Sequence, residues 1–190
     1  MMSWNSFLNK NLMSADIPRI GGGYVDSVCD IISYLMPSGL PIVSYQYKGR
    51  PMELRSTKND GDSDHVVSLP MTVICDEMTA SAAEIFTAAI RDYRDKGLVN
   101  ALTVGTTTFK KGIMQAAFQY TDGSTVTLTV AYYNPPYSAN YHGIGIKPDI
   151  TVELPEPEFN TETGKYLPVE DTQLDRAVLE LKNLINANKT

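Results

Sequence analysis

The sequence has few of the residues that metal and redox sites require. Its 190 residues include 2 cysteines and 2 histidines. Cys29 and Cys75 form no C-x-x-C pair, so neither a metal site nor a redox motif is predicted. We interpret both as buried apolar residues, and the sequence leaves a disulfide between them open. No Lys/Arg-rich block occurs and the formal net charge is −6, which argues against a nucleic-acid partner.

Long apolar runs are also missing. No run approaches the ~20 apolar residues of a membrane-spanning helix. The first 20 residues contain neither the basic start nor the apolar stretch of an export signal. Hydrophobic residues make up 43% and charged residues 20% of the chain, as in ordinary globular proteins. The sequence therefore predicts a folded domain with no membrane span and no signal peptide.

Short helical and strand-like segments alternate along the first part of the chain. Apolar residues at helical spacing occupy residues 25–35, and residues 41–56 read as a hairpin. Residues 71–75 form a short apolar run typical of a buried strand, and a helix is predicted at about 80–95. Strands joined by turns follow between residues 101 and 134. This order favours an α/β or α+β domain with a mixed sheet.

Four regions are predicted from these patterns. Residues 1–20 show no clean period, residues 21–154 form the core, residues 155–170 read as an exposed linker, and residues 171–190 form a last helix. The buried stripe predicted for that helix consists of Leu174, Ala177, Val178, Leu181 and Leu184.

The stretch DEMTASAAEIF, residues 76–86, places two hydroxyls and three alanines at the start of the second predicted helix. Ser81, with Glu84 three residues later, fits a capping box. The same position also suits a nucleophile, because helix-terminal N–H groups and the helix dipole stabilise developing negative charge. From these residues alone, both interpretations stay open.

A serine nucleophile needs a base that takes its proton. We interpret His65 as a solvated loop residue and His142 as a turn residue, and no G-x-S-x-G motif occurs, so a Ser-His-Asp triad has little support. The other available base is lysine, whose pKa must fall from about 10.4 toward neutrality. The stretch TTTFKKGIMQ offers Lys110 and Lys111 for this role.

Several ordered motifs together resemble the carboxyl-terminal processing peptidases, also called tail-specific proteases. These motifs are MTASAAEIF, VGTTTFKKGIMQ, DGSTVTLTVAYYNPP and HGIGIKPDITV. The resemblance implies a ClpP/crotonase-like α/β fold, a spiral with a mixed sheet and flanking helices. It implies a serine endopeptidase with a Ser-Lys dyad, no cofactor and no metal. An unfolded protein or peptide is the implied substrate, and the cell envelope is the implied location.

The resemblance also implies a role for particular residues. Ser81 would be the nucleophile, Lys111 the general base, and Gln115 the residue that positions Lys111. The backbone N–H groups of the oxyanion hole would come from Ala82 and from Gly22 or Gly23. The reaction would pass through an acyl-enzyme. The substrate is expected to add as a strand along the edge near TVTLTVAYY, residues 125–133.

The chain departs from the family pattern in three places. Ser81 and Lys111 are 30 residues apart, a few more than the family tends to show, and a longer loop after the helix absorbs the difference. Lys110 replaces the glycine before the base, and as a like charge it is expected to depress the pKa of Lys111 further. Only IPRIGGG resembles the turn that precedes the family core, so we interpret the chain as a protease core without the PDZ domain of its relatives.

Two other functions are compatible with the same fold. One alternative is an inactive fragment, or a non-catalytic peptide-binding or scaffold module that self-associates as a homo-oligomer through uncovered apolar surface. A crotonase-type enzyme acting on acyl-CoA has less support, because no glycine-rich phosphate loop or basic cluster occurs.

Overall fold

A computed structural model describes residues 13–16, 20–58, 69–167 and 169–187 of the chain. The helices are α1 (Val25–Leu35), α2 (Ala82–Asp95) and α3 (Thr172–Ala187). The strands are β1 (Met13–Asp16), β2 (Pro41–Tyr47), β3 (Glu53–Ser56), β4 (Met71–Cys75), β5 (Ala101–Gly105), β6 (Ile113–Gln119), β7 (Thr125–Asn134), β8 (Ile150–Thr151), β9 (Phe159–Asn160) and β10 (Lys165–Tyr166). None of the helices in these ranges is long and apolar enough to cross a membrane.

A parallel sheet in the order β1-β4-β5-β8 forms the centre of the fold. Every residue of β4 is buried, which explains its continuous apolar run. Successive side chains of a strand point to opposite faces. Val73 accordingly joins the core cluster shared with α1 and α2, whereas Ile74 packs with Val104 and with Ala177 of α3. The helices therefore cover both faces of the parallel sheet.

An antiparallel sheet in the order β3-β2-β7-β6 packs beside this layer. The predicted hairpin of residues 41–56 is confirmed as β2–β3. β7 pairs with β2 through residues 131–134 and with β6 through residues 125–132. The register of β6 and β7 shifts between Met114 and Gln115, and most residues beyond this irregularity are exposed.

The last helix differs from its predicted stripe. Ala177 and Leu181 are buried as expected, but Leu174 and Val178 are more than a third exposed. Gln173 is buried in their place, and its Nε2 donates to the carbonyl oxygen of Val152 at 2.9 Å. The predicted stripe is too wide because α3 uses only a narrow strip to cover the sheet.

Residues 155–170, interpreted from the sequence as a linker, contain a small hairpin. β9 pairs with β10, and the rings of Phe159 and Tyr166 lie 5.1 Å apart in an edge-to-face arrangement. Both rings remain more than half exposed. This segment is therefore exposed and nevertheless contains ordered strands.

Candidate active site

Ser81 lies at the junction between β4 and α2 in a strained backbone conformation. It is the N-cap of α2, with φ 55° and ψ −117°. Positive φ is uncommon for residues other than glycine, and such strain concentrates at functional sites. The side chain is partly exposed, whereas the residues that follow it in the first turns of α2 are buried. A serine on a sharp strand-to-helix turn is the arrangement used by hydrolase nucleophiles.

The turn before Ser81 is held by two buried polar side chains. The carboxylate of Asp76 accepts the N–H groups of Met78 and Thr79, each at 3.0 Å. The Thr79 hydroxyl accepts the N–H of Asp76 at 2.9 Å. Asp76 is 2% exposed and Thr79 is fully buried, so water does not compete for these bonds. The turn that presents Ser81 is therefore fixed from within.

Gly22 is the glycine that lies against Ser81. Its φ is 113°, and a Cβ atom there would lie 2.8 Å from the Ser81 Cβ and 3.4 Å from the nitrogen of Ala82. A Cβ on Gly23 would have no neighbour within 4 Å. The carbonyl oxygen of Ile20 accepts the N–H of Ala80 at 3.0 Å, which joins this segment to the serine turn. Of the two predicted glycines, Gly22 is therefore the one at which a side chain would collide with Ser81.

Glu84 connects the serine turn to the lysine loop. Its carboxylate is fully buried and accepts the N–H of Ser81 at 3.0 Å, so the predicted reach back to the helix start is confirmed. The same carboxylate accepts the N–H groups of Lys110 at 2.8 Å and Lys111 at 2.9 Å. The Thr108 hydroxyl donates to it at 2.6 Å. Sequence reasoning identified only the local bond, because the other donors lie more than twenty positions away.

The two lysines of the loop differ in backbone and exposure. Lys110 is exposed and has a φ of 80°, in the left-handed region that favours glycine. Lys111 is partly buried, and Gly112 follows it. The chain is therefore not extended at Lys110, so the two side chains do not simply alternate as they would along a strand. The conformation also explains why glycine suits the position before the predicted base.

Gln115 lies on β6 opposite Thr129, and its side chain is exposed. Within the described ranges, no hydrogen bond joins the side chains of Ser81, Lys111 and Gln115 to one another. What couples Ser81 to the lysine loop is the backbone, through the buried carboxylate of Glu84.

Asn140 anchors the other side of the lysine loop. Its Nδ2 donates to the carbonyl oxygen of Gly112 at 3.1 Å and also to that of Tyr133. Its Oδ1 accepts the N–H of His142 at 2.7 Å. A Cβ on Gly112 would lie 2.8 Å from this oxygen, so a side chain at that position would displace Asn140. The loop after β7 therefore holds the start of β6 in place.

His142 lies beside the lysine loop and contacts its backbone. His142 is exposed, and its Nδ1 lies 3.1 Å from the carbonyl oxygen of Lys110. Its ring packs edge-on against Tyr132 at 6.2 Å. The prediction of a turn residue is confirmed for His142. His65 lies outside the described residues.

The two thiols are free and buried, so no disulfide joins them, and the interpretation as core residues is confirmed. Cys75 ends β4, six positions before Ser81, and is the other nucleophilic side chain near the turn. Burial raises the pKa of Cys75 to about 12 and that of Cys29 to about 11. A buried thiol with such a pKa is an inert structural residue.

The edge expected for substrate addition is open along part of β7. β7 is paired with β6 along residues 125–132 and with β2 along residues 131–134. Within the described ranges, residues 125–130 therefore have a strand partner on one side only, whereas residues 131 and 132 are paired on both sides. The outer strands of this sheet are β3 and β6. β6 begins two residues after Lys111.

Comparisons with known proteins agree with this architecture. The sequence model of Peptidase family S41 matches residues 16–152. A probable CtpA-like serine protease of Staphylococcus aureus (strain COL) is 30% identical over 155 residues, covering 79% of this chain and 30% of that protein. The carboxy-terminal processing protease CtpA of Bacillus subtilis (strain 168) is 34% identical over 135 residues, covering 71% of this chain and 27% of that protein. The chain thus spans about 30% of the length of these curated relatives.

Solved structures show the same fold. The photosystem II D1 C-terminal processing protease superposes with a TM-score of 0.64 at 26% identity, over 74% of this chain and 34% of that one. A lipoprotein from Streptococcus agalactiae also gives a TM-score of 0.64, at 19% identity, over 90% of this chain and 54% of that one. The predicted ClpP/crotonase-like α/β fold is confirmed.

Proposed function

The chain belongs to peptidase family S41, and from this premise we propose that it hydrolyses peptide bonds in extended polypeptides with Ser81 as its nucleophile. The observation that carries this proposal is the strained N-cap conformation of Ser81, with Gly22 pressed against it. A capping serine has no need of positive φ, since N-cap residues ordinarily have extended backbone. The strain at Ser81 therefore favours the nucleophile over the plain cap.

The oxyanion hole proposed here uses the N–H groups of Ala82 and Gly22. Ala82 opens α2, where the first N–H groups have no partner within the helix. Gly22 packs near the Ala82 nitrogen, and the space of its missing side chain is occupied by Ser81. Two backbone donors at a helix start stabilise negative charge on a tetrahedral intermediate. Gly22 is therefore preferred over Gly23 as the second backbone donor of the oxyanion hole.

Lys111 is the proposed general base. The Ser81 oxygen attacks the peptide carbonyl while Lys111 Nζ takes the serine proton. Lys111 then gives this proton to the leaving amine, and the acyl chain stays on Ser81. A water molecule, deprotonated by Lys111, attacks the ester; Lys111 returns this proton to the departing Ser81 oxygen, and the carboxylic acid product leaves. In this scheme, Gln115 orients Lys111 once a substrate covers the site.

The family and the names of the relatives support a proposal for the substrate class. We propose carboxyl-terminal processing of unfolded protein tails, in the cell envelope, with residues 21–154 as the catalytic core. The cleavage needs no cofactor in this scheme, because a serine, an amine and backbone N–H groups supply the chemistry. Self-association is compatible with the proposal and is not required by it.

The test is hydrolysis of an unfolded, fluorescently labelled protein by the chain and four variants. Ser81→Ala and Lys111→Ala should each lower kcat by at least about a thousandfold. The matched controls are Ser124→Ala, an exposed serine in the turn between β6 and β7, and Lys110→Gly beside the base. Both controls should keep most of the activity. Equal activity in the parent and Ser81→Ala would overturn the assignment of the nucleophile.

A further inference from the structure

Asn140 lies in the loop after β7, and its side-chain amide has partners on both of its polar atoms. The Nδ2 atom donates to the carbonyl oxygen of Gly112 at 3.1 Å, to that of Tyr133, and to Asn134 Oδ1 at 3.2 Å. The Oδ1 atom accepts the N–H of His142 at 2.7 Å. Three oxygens therefore face the donor end of the amide and one N–H faces its acceptor end. These partners determine which way the amide points.

The carbonyl oxygen of Gly112 accepts two hydrogen bonds. One comes from Asn140 Nδ2 at 3.1 Å and the other from the N–H of Tyr133 at 2.9 Å. A backbone carbonyl oxygen has two lone pairs, so both are used here. Because Gly112 directly follows Lys111, these bonds fix the backbone on the carboxyl-terminal side of the proposed base. The missing side chain of Gly112 admits the amide, since a Cβ there would lie 2.8 Å from Asn140 Oδ1.

Other groups hold the amino-terminal side of Lys111. The Glu84 carboxylate accepts the N–H of Lys111 at 2.9 Å. The carbonyl oxygen of Lys110 accepts the N–H of Gly143 at 3.0 Å. The backbone of Lys111 is thus held before it by Glu84 and after it by Asn140. A lysine side chain is a flexible four-carbon stem, so the position of its backbone determines which atoms its Nζ can reach.

We propose that Asn140 is a positioning residue for the base Lys111, which it holds in reach of Ser81 by fixing the carbonyl of the next residue. This inference rests on the proposed function, in which Lys111 takes the proton of Ser81. A general base must come within about 2.6–3.2 Å of the proton donor. A displacement of about 1 Å from the reactive geometry costs up to about a hundredfold in rate. Asn140 acts through Lys111 and not on the reacting atoms themselves.

Two substitutions of Asn140 test this role. Asn140→Ala removes the whole amide. Asn140→Asp keeps the volume and the acceptor for the His142 N–H, but it turns an oxygen toward the carbonyl of Gly112, where a donor is needed. Each variant should lower kcat about tenfold or more and leave KM within about twofold of the parent. Thermal midpoints establish which variants are folded, and the near-isosteric Asp variant keeps the test valid if the Ala variant is not.

The matched control is Asn160→Ala. Asn160 is also a partly buried turn residue, and its Oδ1 accepts the N–H groups of Glu162 and Thr163 in the turn between β9 and β10. This variant loses a comparable set of side-chain bonds outside the lysine loop, and it should keep the parental kcat. An equal loss of kcat in Asn160→Ala and Asn140→Ala would indicate a general effect of turn stability and would overturn the role of Asn140.

A double-mutant cycle shows whether Asn140 acts through Lys111. The readout is the rate at which a fluorophosphonate labels Ser81 in the parent, in Asn140→Ala, in Lys111→Ala and in the double variant. Asn140→Ala should slow the labelling of the parent about tenfold but leave the residual rate of Lys111→Ala within about twofold, because the residue that it positions is then missing. An equal slowing in both backgrounds would mean that Asn140 acts elsewhere, and would overturn the proposal.

The same measurements separate this inference from the proposed function. If Lys111→Ala is labelled as fast as the parent, the proposed function of the base fails. If Lys111→Ala is labelled slowly while both Asn140 variants keep the parental rate, only the role of Asn140 is overturned.

A further measurement does not depend on activity. Hydrogen exchange followed by mass spectrometry reports how well the lysine loop, residues 106–112, is held in the folded protein. Exchange in this segment should be about fivefold or more faster in Asn140→Ala, since local opening costs less when the anchor is lost. Asn160→Ala should leave it unchanged. Parental exchange of the lysine loop in Asn140→Ala would contradict the anchoring on which the inference depends.

Discussion

The carboxylate of Glu84 accepts the backbone N–H of Lys111 at 2.9 Å, across 27 residues of sequence. The same Oε2 atom accepts the N–H of Ser81 at 3.0 Å. One oxygen therefore fixes the distance between the backbone of the proposed nucleophile and that of the proposed base. Because Glu84 is fully buried, solvent does not weaken either bond.

Replacing Glu84 by glutamine should destabilise the fold and impair the site together. The amide keeps one acceptor oxygen and brings an NH₂ group toward donors that previously met a carboxylate. Losing bonds to a buried charged group lowers the free energy of unfolding by about 2–3 kcal/mol. Urea unfolding of Glu84→Gln should show this loss, with kcat reduced even where the variant is folded.

The matched control for that experiment is Glu77→Gln. Glu77 is exposed and accepts one bond, from the Thr106 hydroxyl at 3.0 Å. Its substitution should change stability by less than about 0.5 kcal/mol, as surface substitutions do. Equal stability of Glu84→Gln and Glu77→Gln would contradict the role assigned to the buried carboxylate.

Gly22 and Gly23 offer a second comparison between neighbouring residues. Gly22→Ala places a methyl group 2.8 Å from the Ser81 Cβ on a backbone with φ 113°, so the backbone donor beside Ser81 must move. We expect a loss of kcat of about a hundredfold or more, as for the loss of one oxyanion-hole donor. Gly23→Ala meets open space and should leave kcat within about threefold of the parent. A loss of activity confined to Gly23→Ala would assign the donor to the other glycine.

Local patterns predicted much of this fold, because each was visible within a few residues. Such patterns predict three elements that the structure contains: the strand of residues 71–75, the helix that starts beside Ser81 and the hairpin of residues 41–56. The stripe on α3 was predicted too wide, since helical periodicity does not say how much of a helix its neighbours cover. The burial of Gln173 depends on the carbonyl of Val152, which no local pattern indicates.

The sequence predicts less of the site than of the fold. The spacing of Ser81 and Glu84 indicated a helix cap, but it did not indicate that the carboxylate also binds Lys111. Choosing between Gly22 and Gly23 required the position of the Ser81 Cβ. The ring of Tyr133 packs edge-to-face against Tyr45 of a different strand, a contact that no local pattern indicates. Each of these relationships joins residues far apart in the chain.

Lys110→Gly should stabilise the protein. The φ of 80° costs a residue with a side chain about 1–2 kcal/mol, and glycine avoids this strain. Glycine also gains entropy in the unfolded chain, which offsets about 0.5–1 kcal/mol of the benefit. The expected net gain in the free energy of unfolding is therefore about 0.5–1 kcal/mol, measurable by urea unfolding. Lys110→Val should be less stable than the parent, and a Val variant at least as stable as the Gly variant would contradict the strain.

The buried thiols should make the protein sensitive to alkaline pH. Folding raises the pKa of Cys29 from 9.0 to about 11 and that of Cys75 from 9.0 to about 12. Because the folded pKa values are higher, this stabilisation is fully present below pH 9 and is lost as the pH rises toward 11 and 12. Unfolding measured from pH 8 to 10.5 should show a steeper loss of stability for the parent than for the double variant Cys29→Ala, Cys75→Ala. Identical slopes would contradict the assigned burial of the thiols.

The most direct test of the central claim is to map where an activated serine reagent attaches. The chain is incubated with a fluorophosphonate, digested and examined by mass spectrometry, beside Ser81→Ala and Lys111→Ala. The account predicts one adduct on Ser81, none in the Ser81→Ala protein, and much slower labelling in Lys111→Ala. An adduct on another hydroxyl, or labelling of Ser81 at the same rate without Lys111, would contradict the proposed dyad.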